Sequence, residues 1–375
     1  MKSIHLSLRL AVASFVCSLP ALAGPIGFAS VPAGDHSTSG GGEAQPVIVH
    51  TALELQRELE RLDITDKKLR DATPRTIRLA GDIDLGELAN SNPGKELKRT
   101  GIVYPRSHTT LEGPPGGATL RRGTIELKGA ENVIIRNLRF RDLWEFDPSG
   151  QYDDLGWDYI RITSSGKVPS HHVWVDHCDF GRVYDGQVDV VHGSDLVTVS
   201  HCIFQGEGPD RHKKSMLIGH SSSASARQTD IGRLNVTIHD CWFRNLESRC
   251  PRLRSGNVHF FNNLVENVHN GTVSVAGGAT LVENCVYRDC GLTSAFSYAG
   301  DSTQKGLGGS IRVVGSLDLR AKPDPETSFH DFPAEFRFNK PAGFEWPDLS
   351  RPPYEYRLVP VAEVEARVKK DCGPR

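Results

Sequence analysis

A repeated apolar phrase constrains the fold of this 375-residue chain more than any other feature of its sequence. Two apolar or aromatic anchors, seven positions apart, recur along the chain. They are Val133 with Phe140, Val173 with Phe180, Val197 with Phe204, Val236 with Phe243, Val258 with Val265, and Thr280 with Tyr287. The first anchors are spaced by 40, 24, 39, 22 and 22 residues, so a unit of 22–24 residues recurs and two units carry long insertions. A further copy is expected near Thr110-Leu111, and another over 311–314.

So short a unit cannot bury its own apolar side, but stacked units can share one core. Three short strands per unit, wound as a coil, would pair with the neighbouring coils about 4.8 Å away. The sequence therefore predicts an all-β chain, a single-stranded right-handed parallel β-helix whose loop insertions form a cleft. Outside the repeat, apolar spacing predicts helices over 52–62, with Leu53, Leu55, Leu59 and Leu62 near one face, and over 361–370. A strand is expected over 76–79.

Like positions of stacked coils should lie on top of one another. The position five residues after the first anchor holds Leu138, Cys178, Cys202, Cys241, Asn263 and Cys285, which we expect to form an internal ladder. Phe140, Phe180, Phe204 and Phe243 should form an aromatic column. We interpret the cysteines as small buried hydrophobic residues rather than as disulfide partners, and Trp174 as a core residue rather than a platform for a sugar ring.

The two ends of the chain read differently from the repeat. Residues 1–23 have a basic start, an apolar run and an A-x-A type ending, and they predict a cleaved signal peptide and a secreted protein. Residues 24–45 are rich in Gly, Ser, Pro and Ala and predict a flexible leader. The β-helix domain is then expected over 46–375, with a Pro-rich tail that packs against the coils or caps their end.

Charge excludes some partners. The chain has 44 basic and 46 acidic side chains, with a formal net charge of -2. Such a balance gives no whole-protein attraction to nucleic acid or to membranes, so affinity for a charged polymer must be local. We expect no nucleic-acid partner, no membrane partner and a monomer.

The two insertions lie at 133–173 and 197–236, and insertions in a solenoid gather on one face. The first contains Trp144, Trp157 and Asp158, and the second contains Arg211, His212, Lys213 and Lys214. With Asp185 and Asp189 between them, they can line one cleft. The three carboxylates Asp158, Asp185 and Asp189 offer the hard oxygen ligands that Ca²⁺ prefers.

A basic group accompanies these carboxylates. It consists of Lys214, Arg249, Arg252 and Arg254. Arg252 and Arg254 are two residues apart, so on a strand they share a face. Guanidinium forks that face a cleft suit the recognition of carboxylates. An acidic sugar polymer is therefore the natural partner.

Five motifs in order resemble those of the pectate lyases of polysaccharide lyase family 1. They are Val173-Trp174-Val175-Asp176-His177-Cys178, Asp185-Gly186-x-x-Asp189, Lys214-x-Met216-Leu217-Ile218-Gly219-His220-Ser221, Arg249-x-Pro251-Arg252-x-Arg254 and Val258-His259-x-x-Asn262-Asn263. The resemblance covers roughly residues 45–370.

The resemblance implies Ca²⁺-dependent cleavage of polygalacturonate, the de-esterified form of pectin, by β-elimination. It implies that Asp158, Asp185 and Asp189 bind the calcium ion. It makes Arg249 the residue that takes the C5 proton, and Lys214 and Arg254 the residues that hold the uronate carboxylate, with Arg252 beside them. Some members carry another acidic residue where this chain has Gly156, with Asp153 and Asp154 upstream.

Three other functions remain as alternatives. A pectin lyase would act on methyl-esterified polymer and would lack the calcium carboxylates. A non-catalytic β-helix would bind polysaccharide without needing Lys214, Arg249 and Arg254. A β-helical glycoside hydrolase would use two carboxylates and no metal ion. Absorbance from an unsaturated product, measured with and without chelator, separates these functions.

Overall fold

The structure is a computed structural model that describes residues 24–88, 101–148, 155–208, 212–297, 307–320, 329 and 335–375. Its strands form three parallel sheets of ten, eight and nine strands, here called sheets 1, 2 and 3. Strands that are neighbours in a sheet come from successive turns of the chain, so every coil contributes to the sheets in rotation. The predicted parallel β-helix is confirmed.

The strand bounds follow in the order in which the strands lie across each sheet. Sheet 1 contains Val47–Val49, Arg75–Leu79, Thr109–Glu112, Glu131–Arg136, His171–Asp176, Asp195–Ser200, Asn235–His239, Asn257–Phe261, Ala279–Glu283 and Ser310–Val314. Sheet 2 contains Gly101–Val103, Gly123–Lys128, Ile160–Thr163, Val188–Val190, Met216–Ile218, Arg252–Arg254, Asn270–Val275 and Thr293–Ser297. Sheet 3 contains Ile83–Asp84, Ala118–Arg121, Leu138–Arg141, Asp179–Phe180, Ile203–Gln205, Trp242–Arg244, Leu264–Glu266, Val286–Arg288 and Leu317–Leu319.

The register of the sheets is the register of the repeat. Val173 pairs with Val133 and Val197 in sheet 1. The predicted aromatic column exists, because the rings of Phe140, Phe180, Phe204 and Phe243 stack with successive centroid distances of 4.8, 5.0 and 4.6 Å. All four rings are fully buried. The earlier copy is shifted by one residue, since Thr109 rather than Thr110 pairs with Val133.

The predicted internal ladder also exists, and its members are joined by hydrogen bonds from coil to coil. The backbone N–H of Cys178 donates to Sγ of Cys202, and that of Cys202 donates to Sγ of Cys241, both at 3.4 Å. Cys241 N–H then donates to Oδ1 of Asn263 at 2.8 Å. The described cysteines, Cys178, Cys202, Cys241, Cys250, Cys285, Cys290 and Cys372, form no disulfide. The first six are buried, which agrees with their interpretation as buried hydrophobic residues, and Cys372 is half-buried.

Four α-helices flank the coils within the described ranges. They are α1 (Ala52–Glu60), α2 (Lys67–Ala72), α3 (Ala224–Asp230) and α4 (Val361–Asp371), and two 3-10 turns lie at Phe28–Ser30 and Leu85–Glu87. Leu55 and Leu59 of α1 are buried in the core, but Leu53 and Leu62 are exposed. The prediction that all four leucines share one face is therefore wrong for Leu53 and Leu62. The helix ends at Glu60, and Arg61 has left-handed backbone, which turns Leu62 away from that face. None of the described helices combines the length and apolar character needed to cross a bilayer.

The segment 24–45 does not form the flexible leader that its composition predicted. Phe28 and Ala29 are fully buried. The backbone N–H of Phe28 donates to the hydroxyl oxygen of Thr237 at 2.9 Å, and that of Ala29 donates to the hydroxyl oxygen of Thr198 at 3.0 Å. The N–H of Gly41 donates to the hydroxyl oxygen of Thr110 at 2.9 Å. Threonine hydroxyls on the outer face of sheet 1 therefore supply the hydrogen bonds that the segment cannot make within itself.

The tail packs against the coils, as predicted. The hydroxyl of Tyr354 lies 2.6 Å from Oγ1 of Thr237 and 2.8 Å from Nδ1 of His259, on the outer face of sheet 1. Val364 and Val368 of α4 are buried in a cluster with residues of sheet 3. The predicted domain boundaries stay a prediction, and residues 1–23, for which a signal peptide is predicted, lie outside the described residues.

Candidate active site

The candidate site lies on the outer face of sheet 2. Strand alternation explains why polar side chains gather there, because successive residues of a strand point to opposite faces. In Val188–Val190 both valines are fully buried in the core and Asp189 points outward, and in Arg252–Arg254 only Leu253 is in the core. Asp189 pairs with Leu217, which pairs with Arg252. The outer faces of three neighbouring strands thus carry an acidic residue and two basic ones, as predicted for Arg252 and Arg254.

Asp158 and Asp189 form an inner carboxylate pair. Asp158 precedes the strand Ile160–Thr163. Asp158 is 2% exposed and Asp189 is 6% exposed, so both residues are almost completely shielded from water. Oδ1 of Asp158 accepts from the N–H of Gly186 at 2.9 Å, and Oδ1 of Asp189 accepts from the N–H of Leu217 at 3.2 Å. A Cβ atom at Gly186 would meet Oδ1 of Asp189 at 2.5 Å and Oδ1 of Asp158 at 3.0 Å. The two carboxylates therefore border one point in space, and only glycine leaves that space open.

Burial disfavours the charged form of both carboxylates in the inner pair. Burial, followed by the charges of Asp189 and Asp185, raises the pKa of Asp158 well above its usual range. Burial raises the pKa of Asp189 to about 7, against the opposing charge of Arg249. Buried carboxylates that repel one another are stabilised by a bound cation, and oxygen-only ligands suit Ca²⁺. The residues present therefore fit a calcium ion.

Asp185 stands at the mouth of the site and joins the acidic and basic groups. Its Oδ1 lies 3.4 Å from Nη1 of Arg249 and 3.6 Å from Nζ of Lys214. The backbones explain this meeting. Lys214 forms a β-bridge with Ser248, and the N–H of Met216 donates to the carbonyl oxygen of Arg249 at 2.7 Å. The structure thus brings the predicted Lys214, Arg249 and Asp185 together.

Arg254 lies farther along the same face. Its Nη1 donates to the carbonyl oxygen of Gly219 at 3.0 Å. Gly219 has a positive φ of 83°, and a Cβ there would meet the carbonyl oxygen of Arg254 at 2.6 Å. A glycine is therefore required where the two chain segments approach each other, which fixes the backbone that carries Arg254.

Some residues of the site escaped the sequence reasoning. Arg161 pairs in register with Asp189, and its charge lowers the pKa of both Asp158 and Asp189. Arg161 stands between Ile160 and Ile162, which are both in the core, so strand alternation from these two isoleucines could have placed Arg161 on the outer face. His192 and His220 face each other nearby, with ring centroids 4.0 Å apart.

The insertions contribute less to the cleft than predicted. Trp157 is 2% exposed and packs edge-to-face on Tyr184 with ring centroids 5.6 Å apart, so it belongs to the core and not to the cleft lining. Trp144 is half-buried beneath the guanidinium of Arg182, whose Cζ lies 3.1 Å from the ring centroid. Arg211, Asp153 and Asp154 lie outside the described residues.

His212 lies close to this group, as its place in the second insertion suggested. It is 8% exposed. Burial, with the neighbouring charge of Lys214, lowers the pKa of His212 to about 4. A neutral imidazole is therefore present beside Lys214 at neutral pH.

Residues 6–296 match the family described as pectate lyase. The chain belongs to this family. It is 35% identical over 242 residues to a pectate trisaccharide-lyase of Thermotoga maritima, with 64% of this chain covered, and it spans 56% of that protein's length. The fold agrees with two solved pectate lyases, each 22% identical to this chain. One, from Paenibacillus sp. 0602, has a TM-score of 0.73 with 94% of this chain and 96% of the other covered. The other, from Bacillus sp. N165 in complex with trigalacturonate, has a TM-score of 0.69 with 93% and 98% covered.

Proposed function

We propose that this chain is a secreted, calcium-dependent pectate lyase that cleaves α-1,4-polygalacturonate by β-elimination. The observation that carries the proposal is the shared contact of Lys214 and Arg249 with Asp185, beside the buried pair of Asp158 and Asp189. Three carboxylates and two cations at one place on sheet 2 match the needs of a reaction on a negatively charged sugar.

The chemical difficulty is the acidity of the C5 proton. It lies next to a carboxylate that is already negative, so removing the proton would concentrate a second negative charge there. Positive groups positioned at the carboxylate stabilise that charge as it develops. Lys214 and Arg254 are assigned this task. A calcium ion held by Asp158, Asp185 and Asp189 would add positive charge at the same carboxylate.

Arg249 is assigned the removal of the C5 proton. The electron pair of the C5–H bond then forms the C4–C5 double bond, and the electron pair of the C4–O bond leaves with the glycosidic oxygen, which takes a proton from water. Arginine is an unusual base, because its side-chain pKa ordinarily exceeds about 12. We therefore expect alkaline conditions to favour turnover. The contact with Asp185 orients the guanidinium, which reduces the freedom that the side chain must lose in the transition state.

The basic side chains of the site also indicate which form of the polymer it binds. Guanidinium forks recognise carboxylates in a planar, paired geometry. A methyl ester would remove that charge, so the site favours the acid form of the polymer over esterified pectin. The trigalacturonate complex of the Bacillus sp. N165 relative supports an acidic sugar chain as ligand. Export is proposed from the basic start, apolar run and Ala21-Leu22-Ala23 ending of residues 1–23.

The test follows the unsaturated product by its absorbance, on polygalacturonate and on highly esterified pectin, with and without chelator. We expect product from polygalacturonate alone, and its loss with chelator and its return with added Ca²⁺. Arg249→Ala should abolish turnover. Arg351→Ala is the matched control, because Arg351 is 77% exposed and pairs with Asp348 in the tail.

Other outcomes would each remove the proposal. Chelator-independent product from esterified pectin would indicate a pectin lyase. Release of reducing ends without unsaturated product would indicate a hydrolase. Binding of the polymer without any cleavage would indicate a non-catalytic protein.

A further inference from the structure

We propose a second metal site, for Zn²⁺, that joins the N-terminal segment to the outer face of sheet 1 through His36, Glu131 and His171. The metal-ligand atoms of these three side chains all lie within 4.8 Å of one another. The site is on sheet 1, whereas the proposed calcium carboxylates lie in and beside the strands of sheet 2, and it does not depend on the proposed lyase activity.

The three ligands come from separate parts of the chain. Glu131 and His171 are register partners on neighbouring strands of sheet 1. His36 belongs to the N-terminal segment, where Ala33 and His36 exchange two backbone hydrogen bonds across a turn. Oε2 of Glu131 lies 2.8 Å from Nδ1 of His36 and 3.1 Å from Nε2 of His171. Glu131 is thus the central ligand, with one imidazole from each side.

The hydrogen bonds behind His171 determine which of its nitrogens carries the proton. Nε2 of His172 lies 3.1 Å from the carbonyl oxygen of Val31, which can only accept, so Nε2 is the donor. His172 is fully buried, where a charged ring is costly, so its Nδ1 has no proton and accepts. Nδ1 of His171 lies 2.8 Å from that atom and must donate to it. In the neutral ring of His171 the free electron pair is therefore on Nε2.

This assignment leaves two acceptors facing each other. The bare Nε2 of His171 is directed at a carboxylate oxygen of Glu131, at 3.1 Å. Two acceptors at that distance repel unless a proton or a metal ion lies between them, and the second case is the one that we propose. His36 can present its own Nδ1 as a ligand, because its Nε2 can carry the proton. Two imidazoles and one carboxylate are a common set for Zn²⁺, which leaves a fourth position for water.

The site is both accessible and supported. The side chains of His36, Glu131 and His171 are 50%, 25% and 24% exposed, so an ion can reach them from solvent. Beside them, Oδ1 of Asn132 accepts from the N–H groups of Ser39 and Gly40, both at 2.6 Å. The backbone that carries His36 is therefore already held against the strand that carries Glu131.

A second His-containing group in the described residues makes a useful contrast. Asp176, His177 and His201 also have ligand atoms within 4.8 Å of one another. There the carboxylate of Asp176 faces Nδ1 of His177 at 2.6 Å, Nδ1 of His201 at 3.2 Å and the hydroxyl of Ser200 at 2.6 Å. All three can donate to it, so this group needs no cation.

The test is a calorimetric titration of Zn²⁺ into chelator-treated, dialysed protein in excess Ca²⁺, which occupies the carboxylates on sheet 2. We expect one Zn²⁺ per chain. His36→Ala and Glu131→Gln should each weaken binding by more than about tenfold. His201→Gln should bind as the wild type does, and circular dichroism checks the fold of each variant. His36 is half-exposed, so its variant should fold in any case.

Two further measurements distinguish this site from adventitious binding. Co²⁺ in place of Zn²⁺ should give a visible absorption band of tetrahedral type, and the band should be absent in His36→Ala. Zn²⁺ should also slow proteolytic cleavage within 31–40 in the wild type but not in His36→Ala. If no Zn²⁺ binds in excess Ca²⁺, a proton occupies the place between His171 and Glu131 and the proposal is wrong. If His36→Ala keeps wild-type affinity, or if His201→Gln loses it, the site is not here.

Discussion

Nη1 of Arg249 lies 3.4 Å from Oδ1 of Asp185, and Nζ of Lys214 lies 3.6 Å from the same oxygen. One carboxylate thus belongs both to the proposed calcium ligands and to the surroundings of the proposed base. Asp189 differs, because it is more deeply buried and its Oδ1 accepts from the backbone of Leu217. The two aspartates should therefore respond differently to substitution.

Asp189→Asn and Asp185→Asn should both lose most activity at low calcium, because each removes one negative ligand. High calcium should restore much of the activity of Asp189→Asn, whose basic groups are untouched. It should restore less in Asp185→Asn, because Lys214 and Arg249 lose the charge that positions them. The measurement is initial rate against calcium concentration for both variants and the wild type. An unchanged calcium dependence in both variants would remove these residues from the ligand set.

The coils could be predicted from the sequence because stacking places like residues on like. The seven-residue spacing of Val173 and Phe180 fixes the register of two sheets at once, and the structure reproduces it coil by coil. The basic face of Arg252 and Arg254 followed from strand alternation alone. These features depend on local periodicity, which a sequence displays directly.

Features that depend on distant partners could not be predicted in this way. The N-terminal segment looked flexible because its composition offers little to pack, yet Thr198 and Thr237 supply its hydrogen bonds from far along the chain. The burial of Trp157 likewise depends on Tyr184, and the half-buried place of Trp144 depends on Arg182. No residue spacing in the sequence predicts these contacts.

The raised pKa of Asp189 predicts how pH affects the metal-free protein. In the unfolded chain an aspartate has a pKa of about 3.9, whereas in the fold that of Asp189 is raised to about 7 by burial. Between these values the folded state holds a proton that the unfolded state has lost. The free energy of unfolding therefore falls as pH rises through this window. Asn at this position carries no charge and should remove the part of the fall that Asp189 causes.

In chelator, Asp189→Asn should match the wild type near pH 4 and exceed its free energy of unfolding by on the order of 4 kcal/mol above pH 7. Urea titrations at the two pH values measure this difference. Asp289→Asn is the matched control, because Asp289 is exposed and its left-handed backbone accepts asparagine. An equal pH dependence of the free energy of unfolding in Asp189→Asn and the wild type would show that burial does not raise the pKa of Asp189.

The aromatic column makes a prediction about stability. Phe204 stacks between Phe180 and Phe243 and is fully buried, so Phe204→Ala should lower the free energy of unfolding by about 3–5 kcal/mol. Phe146→Ala is the matched control, because Phe146 is 52% exposed and should cost far less. Trp144 is not a suitable control, since its ring packs under Arg182. Denaturant titration compares the variants, and similar costs at both phenylalanines would count against the column.

We propose that Arg249 acts in the chemical step and that Arg254 holds the substrate carboxylate. Substitution of each arginine by lysine tests these two roles. Lysine keeps the charge but loses the planar fork and its reach. Arg249→Lys should therefore fold, bind Ca²⁺ and bind polygalacturonate, yet lose roughly 10²-fold or more in kcat, the usual scale for loss of a general base. Arg254 lies farther along the face, on the carbonyl oxygen of Gly219, and Arg254→Lys should mainly raise KM. The measurement is kcat and KM of both variants across a neutral to alkaline range of pH.

If Arg249→Lys keeps a near-normal kcat while Arg254→Lys abolishes it, the two roles are reversed. If both keep full kcat, neither arginine acts in the chemical step and the proposed elimination does not proceed through this face of sheet 2.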